Sequence, residues 1–400
     1  MRALSSLITV VALVLVSCTS DSLPTNWSPV YDDPGIFGGQ GDQWMSAVAA
    51  HGRGWIAVGY DTTGGDADAA LWTSSDGLIW NRNARDEAVF GGDGEQTMGD
   101  VAVGTGRVVV VGTDTSGGDS DAAVWTSSDG VSWTRIPHDE ATLGGDGEQA
   151  MLAVVVGGPG FVTVGSDASG GDGDIAVWTS PDGVTWTRVP PDPAIFGGDG
   201  DQWAADVAAG DLGVIAVGSD FRSGYGDAAV WTSADGLAWT RIANDDEVLG
   251  GPGAEYMWSV TTGGPGVVAV GSAWFGIDQY RAATWTSPDG ATWTRTPEDP
   301  ALTGSNGKAT FMFGVAASSA GVVAVGYEST LGLDADPAVW TSPDGVTWSR
   351  FADPAGNLAR SGVQAMAAVA VSPDGLVAVG RDGQPGYTET DAAVWVATRR

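Results

Sequence analysis

The chain has 400 residues, 43% of them hydrophobic, with 62 glycines and 19 tryptophans, a turn-rich and aromatic-rich β composition rather than a helical one. Fifty acids against 17 bases leave a net charge of −33, which speaks against nucleic acid as a partner, because phosphate binding needs Lys and Arg patches. The same charge favours solubility, and it favours cations or basic partners. A single cysteine, Cys18, excludes an intramolecular disulfide.

Taken from the start, Met1-Arg2 precedes an apolar run from Ala3 to Val16 and small residues before Cys18. A basic start, a short apolar segment and a small-residue cut site read as a signal peptide. The run is too short for a comfortable membrane span. Leu15-Val16-Ser17-Cys18 resembles the lipobox of bacterial lipoproteins. That resemblance implies cleavage before Cys18 and lipidation of its thiol; the alternative is an ordinary signal peptide with a stray cysteine. The expected organisation is a signal peptide over 1–17, a lipid-anchored tether over 18–25 and one domain over 26–400. The protein would then sit in the cell envelope, extracytoplasmic, touching the membrane only through its lipid.

Beyond residue 25 the chain repeats. Trp72, Trp125, Trp178, Trp231, Trp285, Trp340 and Trp395 are separated by 53, 53, 53, 54, 55 and 55 residues. A period near 50 marks a propeller or solenoid built from one supersecondary unit. The third unit shows four strands: A over 149–157, B over 160–167, C over 174–180 and D over 184–189. Seven such units predict an all-β, seven-bladed β-propeller with four strands per blade. A β-helix fits less well, because its rungs would be shorter and not joined by tight Asp-Gly hairpins. The seventh unit stops after strand C, and Asn26–Gly39 aligns with Thr185–Gly198. Trp27 is therefore expected in the outer strand of the last blade, beside Trp395, closing the ring and removing its free edges.

Six copies of Ser-x-Asp-Gly-x-x-Trp join strands C and D, with their acids at Asp76, Asp129, Asp182, Asp235, Asp289 and Asp344. The short carboxylate accepts turn amides, Gly takes positive φ, and Trp buries a large surface. The motif resembles the Asp-box, or BNR repeat, of sialidases and related propellers, shortened here by one residue between Asp and Gly. The resemblance implies a structural turn on the face away from an active site. Met45, Met98, Met151, Met257, Met312 and Met366 recur at one strand-A position, as expected of inter-blade packing near the axis.

The opposite face receives the B-to-C and D-to-A loops. Its first blades are acidic: Asp61, Asp66 and Asp68, then Asp114, Asp119 and Asp121, then Asp167, Asp172 and Asp174. Carboxylates among glycines suit Ca2+, which takes about six to eight oxygen ligands, or form a solvated rim. The later blades break the pattern with Trp258, Trp274, Phe275, Tyr280, Arg281 and Phe311. These residues form a candidate ligand surface for a sugar or a peptide, or else pack into their own loops. The sialidase resemblance would imply three substrate-gripping arginines, a Tyr–Glu pair and an Asp. Arg82, Arg135, Arg188, Arg241, Arg295 and Arg350 instead follow the strand-D Trp, on the outer strand; Arg222, Arg281 and Arg360 could approach the working face, yet no triad maps. Another glycoside hydrolase would need only two carboxylates at the right separation. His51 falls in an A–B turn and His138 between blades, which disfavours histidine chemistry. The sequence reading is a monomeric, lipid-anchored binding or scaffold propeller with a calcium-binding or merely acidic face and a protein or glycan ligand. The alternative is an exo-α-sialidase-like or other carbohydrate-active hydrolase.

Overall fold

The structure is a computed structural model. It describes residues 23, 26–30, 33–274, 276, 280–304, 307–330, 334–353, 356, 358, 360–383 and 389–397. Cys18, with the signal peptide read around it, and Phe275 lie outside the described residues.

Seven four-stranded antiparallel blades follow one another along the chain, the sixth and seventh joined into one eight-stranded sheet by a parallel bridge between Ala335 and Val363, and the only helical element among the described residues is a 3-10 turn at Pro300–Leu302. Strand A of the first blade is Gln43–His51, B is Gly54–Asp61, C is Asp68–Ser74 and D is Trp80–Arg82. Five further blades repeat this A-B-C-D order. The seventh is built from Val363–Ser372, Gly375–Gly383, Thr390–Ala397 and, as its outer strand, Ser28–Pro29 from the other end of the chain. Ser28 pairs with Val396 and Pro29 with Trp395, and Val30 N donates to Val394 O at 2.8 Å. Trp27 is buried against Trp395 in the last blade's core. The ring closes as the sequence alignment predicts. A second tie holds the seam: Asp42 Oδ1 of the first blade accepts Thr390 N of the seventh at 2.8 Å.

The third blade's strands A, B and C occupy Gln149–Gly157, Gly160–Asp167 and Asp174–Ser180. Strand D is shorter than expected, only Thr187–Arg188. The reason is the turn before it. Asp182 Oδ1 accepts Val184 N at 2.9 Å and Thr185 N at 2.7 Å, so those amides cannot join the ladder. Ser180 Oγ accepts Gly183 N at 2.8 Å, completing the turn. The other five turns repeat this geometry at Asp76, Asp129, Asp235, Asp289 and Asp344. Amides of Ser132 and Val131 hold Asp129 down at about 2, and those of Thr292 and Ala291 hold Asp289 there too. An acid whose folded pKa is depressed stabilises the fold above its unfolded value and loses that contribution as pH falls towards 2.

These turns also stitch blades together. Each turn glycine sits against strand B of the preceding blade: Gly130 on Ile56, Gly183 on Val109, Gly236 on Val162, Gly290 on Ile215, Gly345 on Val268 and, across the seam, Gly77 on Val377. The strand-C tryptophans fasten the other edge. Trp72 Nε1 donates to Ile36 O at 2.7 Å, Trp125 to Val89 O at 2.6 Å and Trp178 to Thr142 O at 2.6 Å, each carbonyl lying in the loop that enters the blade. Trp231, Trp285 and Trp340 do the same. Their rings are fully buried, and a strand-D arginine lies 5.3–5.7 Å over each.

Gly183→Ala is the sharpest test of this joint. Its φ is +71°, and a Cβ there would lie 2.6 Å from Val109 Cγ2. Left-handed strain and overpacking together predict a loss of roughly 2–4 kcal/mol in denaturant unfolding. A loss within 0.5 kcal/mol, the usual range for surface changes, would show that the turn does not carry the blade contact.

Candidate functional site

In all seven blades the strand A–B ladder slips by one residue in strand A, between Met45 and Ala47 in the first and between Met366 and Ala368 in the last. The bulge brings a strand-A carbonyl onto strand B, where only glycine fits: a Cβ on Gly59 would lie 1.8 Å from Trp44 O. The methionine before the bulge turns into the inter-blade core, where all six are buried. The bulged residue turns the other way, into the ring. Residues from all seven A strands thereby line an axial cavity of about 270 Å³.

Two of them are acids. Asp100 Oδ1 accepts Val101 N and its Oδ2 accepts Val154 N of the next blade, both at 2.8 Å. Asp206 Oδ2 accepts Ser259 Oγ and Val260 N of the next blade, both at 2.8 Å. Ser259 Oγ accepts Val315 N at 3.2 Å, carrying the chain of bonds one blade further. Burial inside the ring, then the charge of Asp206, pushes Asp100 up to about 7; burial pushes Asp206 up to about 6.

Above these acids, on the face opposite the Ser-x-Asp-Gly turns, the wall becomes aromatic. Trp258 meets Trp203 edge-on at 5.0 Å, stacks with Tyr256 at 5.7 Å and touches Phe313 at 5.5 Å. Phe311 and Phe313 both pack on Tyr327, at 5.0 and 5.6 Å. Trp258 Nε1 donates to Ser272 Oγ at 3.1 Å, which fixes its ring. Across the seam, the Arg381 guanidinium of the seventh blade lies 4.4 Å over Trp44 of the first. All these rings are half-buried, and Trp258 and Phe313 line the axial cavity itself. Blades two and three put only Thr97, Thr113, Ala150 and Ser166 at the matching positions, so the mouth is aromatic on one side and small and polar on the other.

The structure sorts the sequence candidates. Trp258 and Phe311 belong to the wall, and Tyr280 packs on Phe311 at 5.0 Å. Trp274 sits at the rim, 6.1 Å from Tyr225. Arg281, one residue from Tyr280 on the same strand, points the other way, pairs with Glu298 at 2.8 Å and lines a separate side groove of about 320 Å³. Arg222 pairs with Asp220 and Arg360 with Asp382, so no arginine triad forms on this face among the described residues.

The nine acids proposed for Ca2+ are spread over three blades rather than gathered. Asp61, Asp114 and Asp167 each receive the arginine of their own strand D: Arg82, Arg135 and Arg188. Burial opposes the charge on Asp61, but bonds from Thr63, Gln43 and Arg82 outweigh it and hold its pKa down. Asp68 pairs with Arg85 at 2.7 Å. Asp174 is pushed up by burial and by Asp172, and no donor reaches its Oδ1 among the described residues. Asp66, Asp119 and Asp172 stand on the loops without joining a shared cage, and Asp121 alone lies in a group of three metal-capable side chains. Trp203, Tyr256, Phe313, Tyr327, Asp100 and Asp206 were not among the candidates. Trp203 and Tyr256 lie one residue before the methionine position and Phe313 one after it, the alternation signal that could have found them, whereas Asp100 and Asp206 follow the bulge and Tyr327 lies on strand B opposite Phe311.

No family model and no curated protein matches the chain. Among solved structures, a protein of unknown function from Dyadobacter fermentans DSM 18053 is similar over 94% of this chain and 99% of its own, with 14% identity and a TM-score of 0.52. YjhT is similar over 78% of this chain and 99% of its own, with 12% identity and a TM-score of 0.45. Glycoside hydrolases also appear, among them the Bombyx mori GH32 β-fructofuranosidase BmSUC1, which covers 94% of each chain with 12% identity and a TM-score of 0.39. At these identities the likeness is one of fold.

The raised axial carboxyls predict a pH dependence. A folded state that keeps protons the unfolded chain releases loses stability as pH rises from about 4 through about 7. The melting temperature should therefore be lower at pH 8 than at pH 5 by a few degrees. Asp206→Asn should flatten that decline; an unchanged slope in the variant would contradict the assignment.

Proposed function

We propose that this protein is a carbohydrate-binding β-propeller whose site is the aromatic half of the axial mouth. The observation that carries this reading is the continuous wall of Trp203, Tyr256, Trp258, Phe311, Phe313 and Tyr327 on three adjacent blades. Fixed aromatic faces beside a polar wall match a sugar ring, which presents C–H groups on one face and hydroxyls at its edge. A rigid ring of strands holds the wall without loop ordering on binding. The acidic rim of the first blades disfavours strongly anionic glycans, leaving neutral or basic ones as the preferred class. Oligosaccharide binding measured by calorimetry should fall roughly tenfold or more in Trp258→Ala, a loss of about 1.4 kcal/mol or greater. Absence of binding to a broad glycan panel, or an unaffected Trp258→Ala variant, would end this reading.

Glycoside hydrolysis is the second reading. Asp100, at about 7, is in the range of a general acid, and Asp206 shares its cavity. Against it, every oxygen of the pair already accepts a bond, which fits an inter-blade tie better than a reacting group. Turnover of aryl glycosides that disappears in both Asp100→Asn and Asp206→Asn would favour hydrolysis over binding. The six turns are assigned as shortened Asp-boxes with a structural role; their carboxylates are committed to turn amides, and sialidase chemistry draws no support from the ion-paired arginines.

The protein is further proposed to be lipidated on Cys18 and displayed outside the membrane. Its closing strand starts on the turn side of the ring, and the stretch from Cys18 to Trp27 spans at most about 30 Å. The turns would then face the lipid and the aromatic mouth would face outward. Labelled fatty acid should be incorporated into the wild type and not into Cys18→Ser; equal labelling of both would exclude the anchor.

A further inference from the structure

Each of the first four blades opens strand C with an aspartate at the outer rim of the mouth face. That aspartate packs on the first glycine of the following loop: a Cβ added to Gly91, Gly144, Gly197 or Gly250 would lie 2.6–3.0 Å from Oδ1 of Asp68, Asp121, Asp174 or Asp227. The niche is one design repeated, but its partner changes. In the first blade Arg85, 17 residues on, reaches Asp68 at 2.7 Å, with Glu87 beside it over Gly91. In the fourth, Asn244 donates to Asp227 at 3.0 Å. In the second, the residue equivalent to Arg85 is His138, and the equivalent of Glu87 is Glu140.

Two carboxylates therefore flank a guanidinium in the first blade and an imidazole in the second. The guanidinium brings a permanent positive charge; the imidazole brings a lone pair. His138 Nε2 lies 3.0 Å from Glu140 Oε2 and 3.8 Å from Asp121 Oδ2. Ligands 2.0–2.1 Å from a tetrahedral Zn2+ stand about 3.3 Å apart, so these separations bracket what a single ion needs. The three residues are the one group of this kind among the described residues, with ligand atoms within 4.8 Å of one another. A second observation comes from an unpartnered buried oxygen rather than from the spacing. Asp121 is only 6% exposed, and no donor reaches its buried Oδ1 among the described residues. That oxygen faces the same point as the others: the Cβ position of Gly144 is 2.9 Å from it, 2.9 Å from His138 Cε1 and 3.1 Å from Glu140 Oε2.

We propose that Asp121, His138 and Glu140 bind a divalent transition-metal ion, with zinc as the reference ion. One nitrogen and two carboxylate oxygens favour Zn2+ and its neighbours over Ca2+ and Mg2+, which take oxygen alone. The ion supplies in the second blade the positive charge that Arg85 supplies in the first. Burial, which pushes the Asp121 carboxyl up, is the cost that such a charge offsets. His138 and Glu140 are open to solvent on their outer side, leaving coordination positions for water or for a ligand group at the rim.

The test is titration of untagged protein with Zn2+ by calorimetry and with Co2+ by visible absorption. The expected result is one equivalent bound with micromolar affinity. His138→Arg, which copies the first blade, should fold as the wild type does and lose at least roughly tenfold in affinity. Gly144→Ala, whose new Cβ fills the niche, should do the same. His51→Gln, on the opposite face, should bind normally. Failure of the wild type to bind, or full affinity in His138→Arg, would overturn the proposal.

Discussion

A four-stranded blade has two apolar faces and nothing of its own to cover them. Only the neighbouring blades can do so, and the whole structure depends on that constraint. It explains why the chain spends its most distinctive residues on joints. The strand-C tryptophans tie blades to their entering loops, the turn glycines pack on the preceding strand B, and Asp100, Asp206 and Ser259 carry hydrogen bonds from blade to next blade around the axis. It also explains the borrowed outer strand of the seventh blade. Without Ser28–Pro29, the last blade would have three strands and Thr390–Ala397 would be left as its outer edge.

The same joint shapes the mouth. The slip after each methionine serves packing first, since it sends the methionine into the inter-blade core. Its consequence is that the following residue is presented to the axis on a strand, not on a loop. Trp258 and Phe313 are displayed that way, with Tyr256 and Phe311 two residues before them on the same strand face. A recognition surface held by paired strands is pre-organised, and that lowers the ordering cost of binding.

Much of this was legible in the sequence because it repeats. The period of the tryptophans set the blade count, and the alignment of Asn26–Gly39 with Thr185–Gly198 located the closure. Trp258, Phe311 and Tyr280 were visible because they break the repeat. Trp203, Tyr256, Phe313 and Tyr327 were not: Trp203 and Tyr256 hold the position of Trp44 in the repeat, Tyr327 meets Phe311 only across the strand pair, and Phe313 sits in a one-residue bulge that simple alternation does not announce. The acidic loops misled for a different reason. Their abundance is plain in one dimension, but Arg82, Arg135 and Arg188 reach Asp61, Asp114 and Asp167 only in three, across the intervening tryptophan. Asp100 and Asp206 were lost among 50 acids, although each occupies a position that is small in the other blades.

The aromatic half of the axial mouth is the proposed ligand site. Hydrogen–deuterium exchange of the intact protein, with and without a bound oligosaccharide, tests it directly. Slowed exchange is expected in Ala254–Thr261 and Ala309–Ser318, the strands that carry the wall, with the Ser-x-Asp-Gly turns unchanged. Protection confined to those turns, or to the side groove at Arg281 and Glu298, would contradict it.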